Sequence, residues 1–265
     1  MTSGTSVSDN VRDAEALIRE AAAAGAVFIL TPEMTTLLEF NSGKAKHKIQ
    51  TEDEDTSWPY FAALAAELDI WLMIGSIAIR IGEKAANRCY LFSPEGKKVV
   101  SYDKIHMFDV DIPGDKKYQE SNSYRAGNTA VVVPTPYGKI GLSICYDVRF
   151  PYLYRALAHA GAEILTVPAA FTYVTGKAHW HTLLRARAIE NGAYVFAPAQ
   201  VGDHADGRKT FGHSLVVDPW GNIVADGKNK PGVIMADIDM FLVAKARNQI
   251  ASLTHDKNIA IQSLK

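Results

Sequence analysis

A cysteine thiol attacks a carbonyl carbon only after a neighbouring group takes its proton. Three segments of this chain place a thiol, an acid and an ammonium in comparable settings. Cys145 closes the apolar run Lys139-Ile-Gly-Leu-Ser-Ile-Cys145, with Asp147, Arg149 and Pro151 beyond it. A strand passing into a helix there would expose the thiol at a turn. Glu33 follows Val27-Phe-Ile-Leu-Thr-Pro32, and Lys104 follows Val99-Val-Ser-Tyr-Asp103. Partial burial at a strand exit would raise the pKa of Glu33 towards that of a general base. An ammonium close to the thiol would lower its pKa and hold an oxyanion. Each residue also has an ordinary alternative. A lone cysteine is more often a buried packing residue, and a loop glutamate or lysine more often a solvated one. Together they supply a nucleophile, a base and a cation at strand ends, which can converge on one edge of a sheet.

Histidine is the commoner partner of a reactive thiol, and His106, two residues past Lys104, is the best placed. His179 and His181 flank Trp180, but positions i and i+2 do not share a helix face. H-E-x-x-H and C-x-x-C patterns are absent, so no metal is expected. G-x-G-x-x-G and P-loop patterns are absent too, so no nucleotide cofactor is expected, and no G-x-S-x-G elbow offers a serine nucleophile. Arg187 and Glu190 stand i, i+3 on one helix and read as a structural ion pair.

The elements that must position these residues alternate along the chain. Helices are expected from Asp9 to Ala24, Trp58 to Leu68, Pro151 to Ala160 and Gly176 to Asn191. Strands are expected at Val27–Thr31, Trp71–Ile81, Glu163–Pro168 and Ala193–Ala199. Hairpins are expected where a Pro and a Gly share a turn: Cys89–Ser93 with Lys98–Tyr102, Ala130–Val133 with Lys139–Cys145, and Phe211–Val217 with Asn222–Ala225. Hairpins beside crossover helices imply an α/β fold with mixed sheets, and two sheets between outer helices fit the order. Residues 105–128 form the longest stretch without periodicity, a length that favours a functional loop. Residues 1–265 read as one domain.

Composition narrows the function classes. The 265 residues carry 28 Lys+Arg against 29 Asp+Glu, a formal charge of −1, so neither nucleic acid nor an anionic membrane is the expected partner. No apolar run is long enough to span a bilayer and no secretory leader is seen. With Cys89 and Cys145 alone, the cytoplasm is the expected compartment.

Thr31-Pro-Glu33, Tyr102-Asp-Lys-Ile-His106 and Ser143-Ile-Cys-Tyr-Asp-Val-Arg-Phe-Pro151 occur in the order of the three motifs of the nitrilase superfamily of carbon–nitrogen hydrolases, which the chain resembles over nearly its whole length. The resemblance implies a four-layer α-β-β-α sandwich, commonly dimerised through helices, and no cofactor. It makes Glu33 the general base, Lys104 the catalytic lysine and Cys145 the nucleophile, and places a second active-site glutamate at Glu120. The implied reaction is hydrolysis of a small amide to an acid and ammonia through a thioester, with Lys104 and the Tyr146 N–H holding the oxyanion. Phe171 and Thr172 would wall the pocket, and Arg149 would meet a substrate carboxylate or pair with a nearby acid. Within the superfamily, Phe108–Pro113, Thr175–Trp180, Leu184–Glu190 and Gly212–Gly221 resemble the deaminated-glutathione and ω-amidase branches. Ala199–His204 with Gly207-Arg208 favours the former. Hydrolysis of a nitrile or an N-carbamoyl amide, or a catalytically silent interaction protein, are the competing readings. Family chains usually begin with a strand ahead of the position of Met1, so an upstream strand is expected.

Overall fold

The computed structural model describes residues 1–39, 41–112 and 117–263. Pro113, the end of one resembling segment, lies outside them. The first half of the chain gives helix α1 (Val7–Ala23), strand β1 (Phe28–Leu30), helices α2 (Ser42–Lys46) and α3 (Ser57–Glu67), and strands β2 (Trp71–Ile81), β3 (Lys84–Phe92) and β4 (Lys98–Asp103). A short β-ribbon follows, β5 (Asp109–Val110) with β6 (Tyr118–Gln119). The second half gives β7 (Val132–Thr135), β8 (Gly138–Gly141), α4 (Pro151–His159), β9 (Ile164–Thr166), α5 (Tyr173–Asn191) and β10 (Tyr194–Ala197). It closes with the ribbon β11 (Val201–Asp203) and β12 (Lys209–Phe211), then β13 (Leu215–Val217), β14 (Ile223–Asp226) and α6 (Phe241–Gln249).

The main strands form two mixed sheets, β1-β2-β3-β4 and β14-β13-β10-β9-β8-β7. In the first, β1 runs parallel to β2 and the others are antiparallel; in the second, β8, β9 and β10 are parallel. Side chains that alternate along a strand sort the layers. Leu72, Ile74, Tyr90 and Phe92 pack with Ile18 of α1 and Phe61 and Leu64 of α3. Their neighbours Met73, Cys89 and Leu91 face the other way, onto Ile140, Ile164 and Phe196 of the second sheet. That sheet's far side packs Leu157 of α4 and Trp180 and Leu184 of α5. The result is the expected α-β-β-α sandwich, with one core between the sheets and α1 and α3 sealing the outside of the first.

Local chemistry explains the ends of several elements. The Ser6 side chain caps α1, three residues earlier than the helix was expected to start, by accepting from the Asp9 N–H. Pro151 opens α4, where its missing N–H costs nothing, and Gly192 closes α5 in the left-handed conformation. Several expected strands are shorter, two of them for a visible reason. The run from Lys139 to Cys145 leaves the sheet after Gly141, and Phe211–Val217 breaks at the left-handed pair Gly212 and His213. The ribbon β5–β6 lies inside the stretch expected to be an aperiodic loop.

Candidate active site

Glu33 reaches the site because the chain cannot follow β1 further. Past Pro32, Met34 adopts φ +55, and its N–H donates to Ser76 Oγ (2.8 Å) while the Thr35 N–H donates to Ser76 O (2.9 Å). Residues 31–34 thus lie across an irregularity in β2. Gly75 permits the crossing, since a Cβ there would stand 2.1 Å from Thr31 O and 2.6 Å from Pro168 Cβ. Gln200, fully buried between β10 and β11, donates to Glu33 O (3.1 Å) and pins the same backbone. Lys104 stands one residue past β4, its N–H on Asn87 O (2.9 Å). Glu120 opens a single 3-10 turn after β6, and one of its oxygens accepts the Phe108 N–H (2.7 Å).

Cys145 lies at the head of another 3-10 turn, Cys145–Arg149, with φ +49 and its N–H donating to Pro168 O (3.0 Å). A non-glycine residue in that region is strained and persists only where its surroundings hold it. Asp147 supplies the hold. Fully buried, it accepts the Tyr102 hydroxyl (2.7 Å), the Ile144 N–H (2.9 Å) and the His106 N–H (3.0 Å). His106 places its ring Nδ1 2.7 Å from Asp147 and stacks on Phe150, and its Nε2 lies 2.5 Å from the Tyr152 hydroxyl. His106 therefore braces the turn and does not pair with the thiol. Among the described residues no histidine lines the cavity around Cys145.

The thiol's neighbour is Glu33 instead, and the two groups shift each other's pKa. Lys104 Nζ lies 3.0 Å from Glu33 Oε1 and 2.8 Å from Glu120 Oε2. Asn87, in mid-strand, donates to Glu33 Oε1 (2.9 Å) and Glu120 Oε1 (3.3 Å), and the Ala170 N–H donates to Glu33 Oε2 (2.7 Å). Burial raises the Glu33 pKa, but the Lys104 ammonium and the bonds from Cys145, Ala170 and Lys104 outweigh it, leaving the group below its ordinary value. Burial disfavours the Lys104 ammonium, yet Glu120 and Glu33 hold its pKa well above the usual range. Burial pushes the Cys145 thiol well up, Glu33 adds to this, and the pull of Lys104 only opposes it. Two sequence expectations are corrected here. Glu33 is shifted down, because its cation and donors outweigh desolvation, and the thiol ends up raised although Lys104 does lower it, because burial and Glu33 outweigh the lysine. The resting set is a neutral thiol, a carboxylate and an ammonium.

These groups form the floor of a cavity of about 580 Å³. Tyr124, Tyr146, Phe171 and Thr172 wall it, and Lys84, Lys117 and Arg208 also line it. Arg149 is not among the lining residues. Its guanidinium lies 5.3 Å from the Phe171 ring and 5.8 Å from the Tyr146 ring, and Nη1 is 3.3 Å from His179 Nδ1, so it supports the wall from behind. Arg187 and Glu190 do pair, at 2.8 Å, with Arg187 Nε also donating to Val148 O. Sequence reasoning passed over Asn87 and Gln200. The only signal for Asn87 is an amide in a run otherwise suited to a strand interior, where Asn is depleted.

An α-β-β-α sandwich whose cavity ends in a Glu–Lys–Cys cluster defines a class of hydrolase, and the chain belongs to it: the carbon–nitrogen hydrolase family matches residues 1–248. Among sequence relatives, the deaminated glutathione amidase of Synechocystis sp. (strain PCC 6803 / GT-S) is 41% identical over 96% of this chain and 95% of its own length. The omega-amidase NIT2 of Danio rerio is 36% identical over 94% of this chain and 90% of its own. The crystal structure of the C. elegans NitFhit protein superposes with a TM-score of 0.87 at 35% identity, over 97% of this chain and 64% of that one. Among the described residues no helix is long and apolar enough to cross a membrane.

Proposed function

We propose that this chain is an amidase using Cys145 as nucleophile, Glu33 as general acid and base, Lys104 as oxyanion cation and Glu120 as the group that orients Lys104. The observation that carries this is a buried Glu33 carboxylate, held by Lys104 and close enough to the Cys145 thiol for each to shift the other's pKa. Glu33 takes the thiol proton as sulfur attacks the amide carbon. The carbonyl oxygen gains charge between the Lys104 ammonium and the Tyr146 N–H, whose chain direction is set by the Cys145 turn. Protonated Glu33 then passes its proton to the leaving nitrogen, the carbon–nitrogen bond breaks, and a thioester remains. Water loses a proton to Glu33, attacks the thioester and releases the acid, and the proton returns to sulfur.

The substrate we propose is deaminated glutathione or a similar α-keto amide, supported by the sequence relatives and by Lys84, Lys117 and Arg208 in the cavity lining. An internal amide of a tripeptide releases an amine, whereas ω-amide substrates release ammonia, so the products separate the two. Comparing kcat/KM for deaminated glutathione, α-ketoglutaramate and simple aliphatic amides tests the assignment. Equal or higher values for the aliphatic amides would overturn it. We further propose a cytoplasmic homodimer of this one domain. Its two thiols are unpaired, and Tyr152 of α4, Ile189 of α5 and Phe241 of α6 are at least half exposed, as an apolar face awaiting a second copy would be. Light scattering on the eluting protein reads the mass directly.

A further inference from the structure

On the face of α5 that meets the β13–β14 hairpin, we propose a binding site for a divalent transition metal of the zinc type, formed by His181, His213 and Asp226. The three come from separate segments, and their ligand atoms lie within 4.8 Å of one another. His213 Nδ1 is 2.9 Å from Asp226 Oδ1, and His181 Nε2 is 3.6 Å from Asp226 Oδ2. The two imidazoles meet edge to face with centroids 4.8 Å apart. Zinc held tetrahedrally by nitrogen and oxygen at about 2.1 Å keeps its ligand atoms roughly 3.4 Å apart. Small rotations of these side chains therefore reach that geometry, and water completes the fourth position.

Backbone geometry independently marks His213. It adopts φ +55 directly after Gly212 at φ +79. Its N–H donates to Lys228 O (2.6 Å) and its carbonyl accepts the Trp180 indole N–H (2.8 Å). The imidazole is thus aimed by a strained turn locked at both ends, as ligands on rigid elements are. Two imidazoles and one carboxylate form a donor set that suits zinc and its neighbours better than calcium or magnesium. Local motifs could not reveal it, because the three residues are spread from 181 to 226.

The arrangement contains its own competitor. Lys228 Nζ lies 2.7 Å from Asp226 Oδ2, and the Lys228 N–H holds Asp226 Oδ1 at 2.8 Å. The lysine side chain is 69% exposed, so its ammonium can swing into water and let the metal replace its charge. The site adjoins the cavity wall as well. Phe211 stacks on His213 with centroids 4.5 Å apart, and its N–H donates to Phe171 O (3.0 Å). Metal occupancy would clasp α5 to the hairpin beside that wall.

The test titrates zinc chloride into the full-length Cys145→Ala protein by calorimetry, so that the nucleophile thiol cannot bind the ion. Saturable one-to-one binding is expected. His181→Ala, His213→Asn and Asp226→Asn should each weaken it roughly tenfold or more, with asparagine chosen at 213 because it tolerates positive φ. Lys228→Ala should tighten it, which a plain histidine–aspartate hydrogen-bond network would not produce. The rise in Tm with zinc should vanish in the same ligand variants. Unsaturable heats, or an affinity indifferent to His181→Ala and Lys228→Ala, would overturn the proposal.

Discussion

Cys89 and Cys145 are both buried thiols facing the core between the two sheets, and they differ in everything that chemistry needs. Cys89 sits in mid-strand on β3, opposite Tyr102 of β4, and burial, with a smaller push from the Asp103 carboxylate, drives its thiol far up. Cys145 is also pushed up, but by burial together with a carboxylate that accepts its proton and against an ammonium beside it. Burial makes a thiol inert. A base within hydrogen-bond reach, on a turn that opens into a cavity, makes an equally protonated thiol a nucleophile in waiting.

Four substitutions test this contrast. Cys145→Ala should lower kcat/KM by about 10⁴-fold or more, the scale of losing a covalent nucleophile. Residual activity within tenfold of the parent would end the assignment. Lys104→Met should cost roughly 10²–10³-fold through the lost oxyanion cation, and it also leaves Glu33 and Glu120 buried without their ammonium. The sign of the accompanying pH effect follows from Glu33. Its pKa in the folded protein is lowered, so the base form survives to acid pH, and the stability linked to it is lost only as pH falls through that lowered value. Without Lys104 the pKa rises, and the acid limb of the kcat/KM profile should move to higher pH. An unmoved limb would detach Glu33 from Lys104.

Asn87→Leu should have a smaller effect, about 10–100-fold in kcat/KM, because it removes one amide donor from two carboxylates. A loss confined to Tm with kcat unchanged would make Asn87 a packing residue only. Cys89→Ala should be mildest, with activity within about twofold and stability lower by roughly 1 kcal/mol. Brief iodoacetamide treatment of the native protein, read by peptide mass spectrometry, should alkylate Cys145 and spare Cys89.

Much of this was legible in the chain itself, for a physical reason. Glu33, Lys104 and Cys145 each follow a local apolar run, and a local run predicts a strand without knowledge of its partners. The strand Trp71–Ile81 and the helices over Ser57–Glu67 and Pro151–His159 were read closely for the same reason. Glu120 had no such signal. It lies in a stretch without periodicity, its place is fixed by the β5–β6 ribbon and the Phe108 N–H, and only the family resemblance pointed to it. Asn87 and Gln200 were illegible because their partner Glu33 is 54 and 167 residues away. His106 was misjudged because nearness in sequence to Lys104 says nothing of Asp147, the carboxylate that claims its ring. The short helices α2 and α6 carry too few turns to impose a pattern.

The left-handed backbone at Cys145 has a consequence for any attempt to harden this enzyme. A Cβ at φ +49 costs about 1 kcal/mol that glycine would not incur. Selection for heat resistance alone would therefore favour discarding the proposed nucleophile, and a Cys145→Gly protein should outlast Cys145→Ala on heating, both being inactive under the proposed mechanism. Thermostable descendants that keep their activity must find their gains elsewhere in the chain, because at this position robustness and turnover pull in opposite directions.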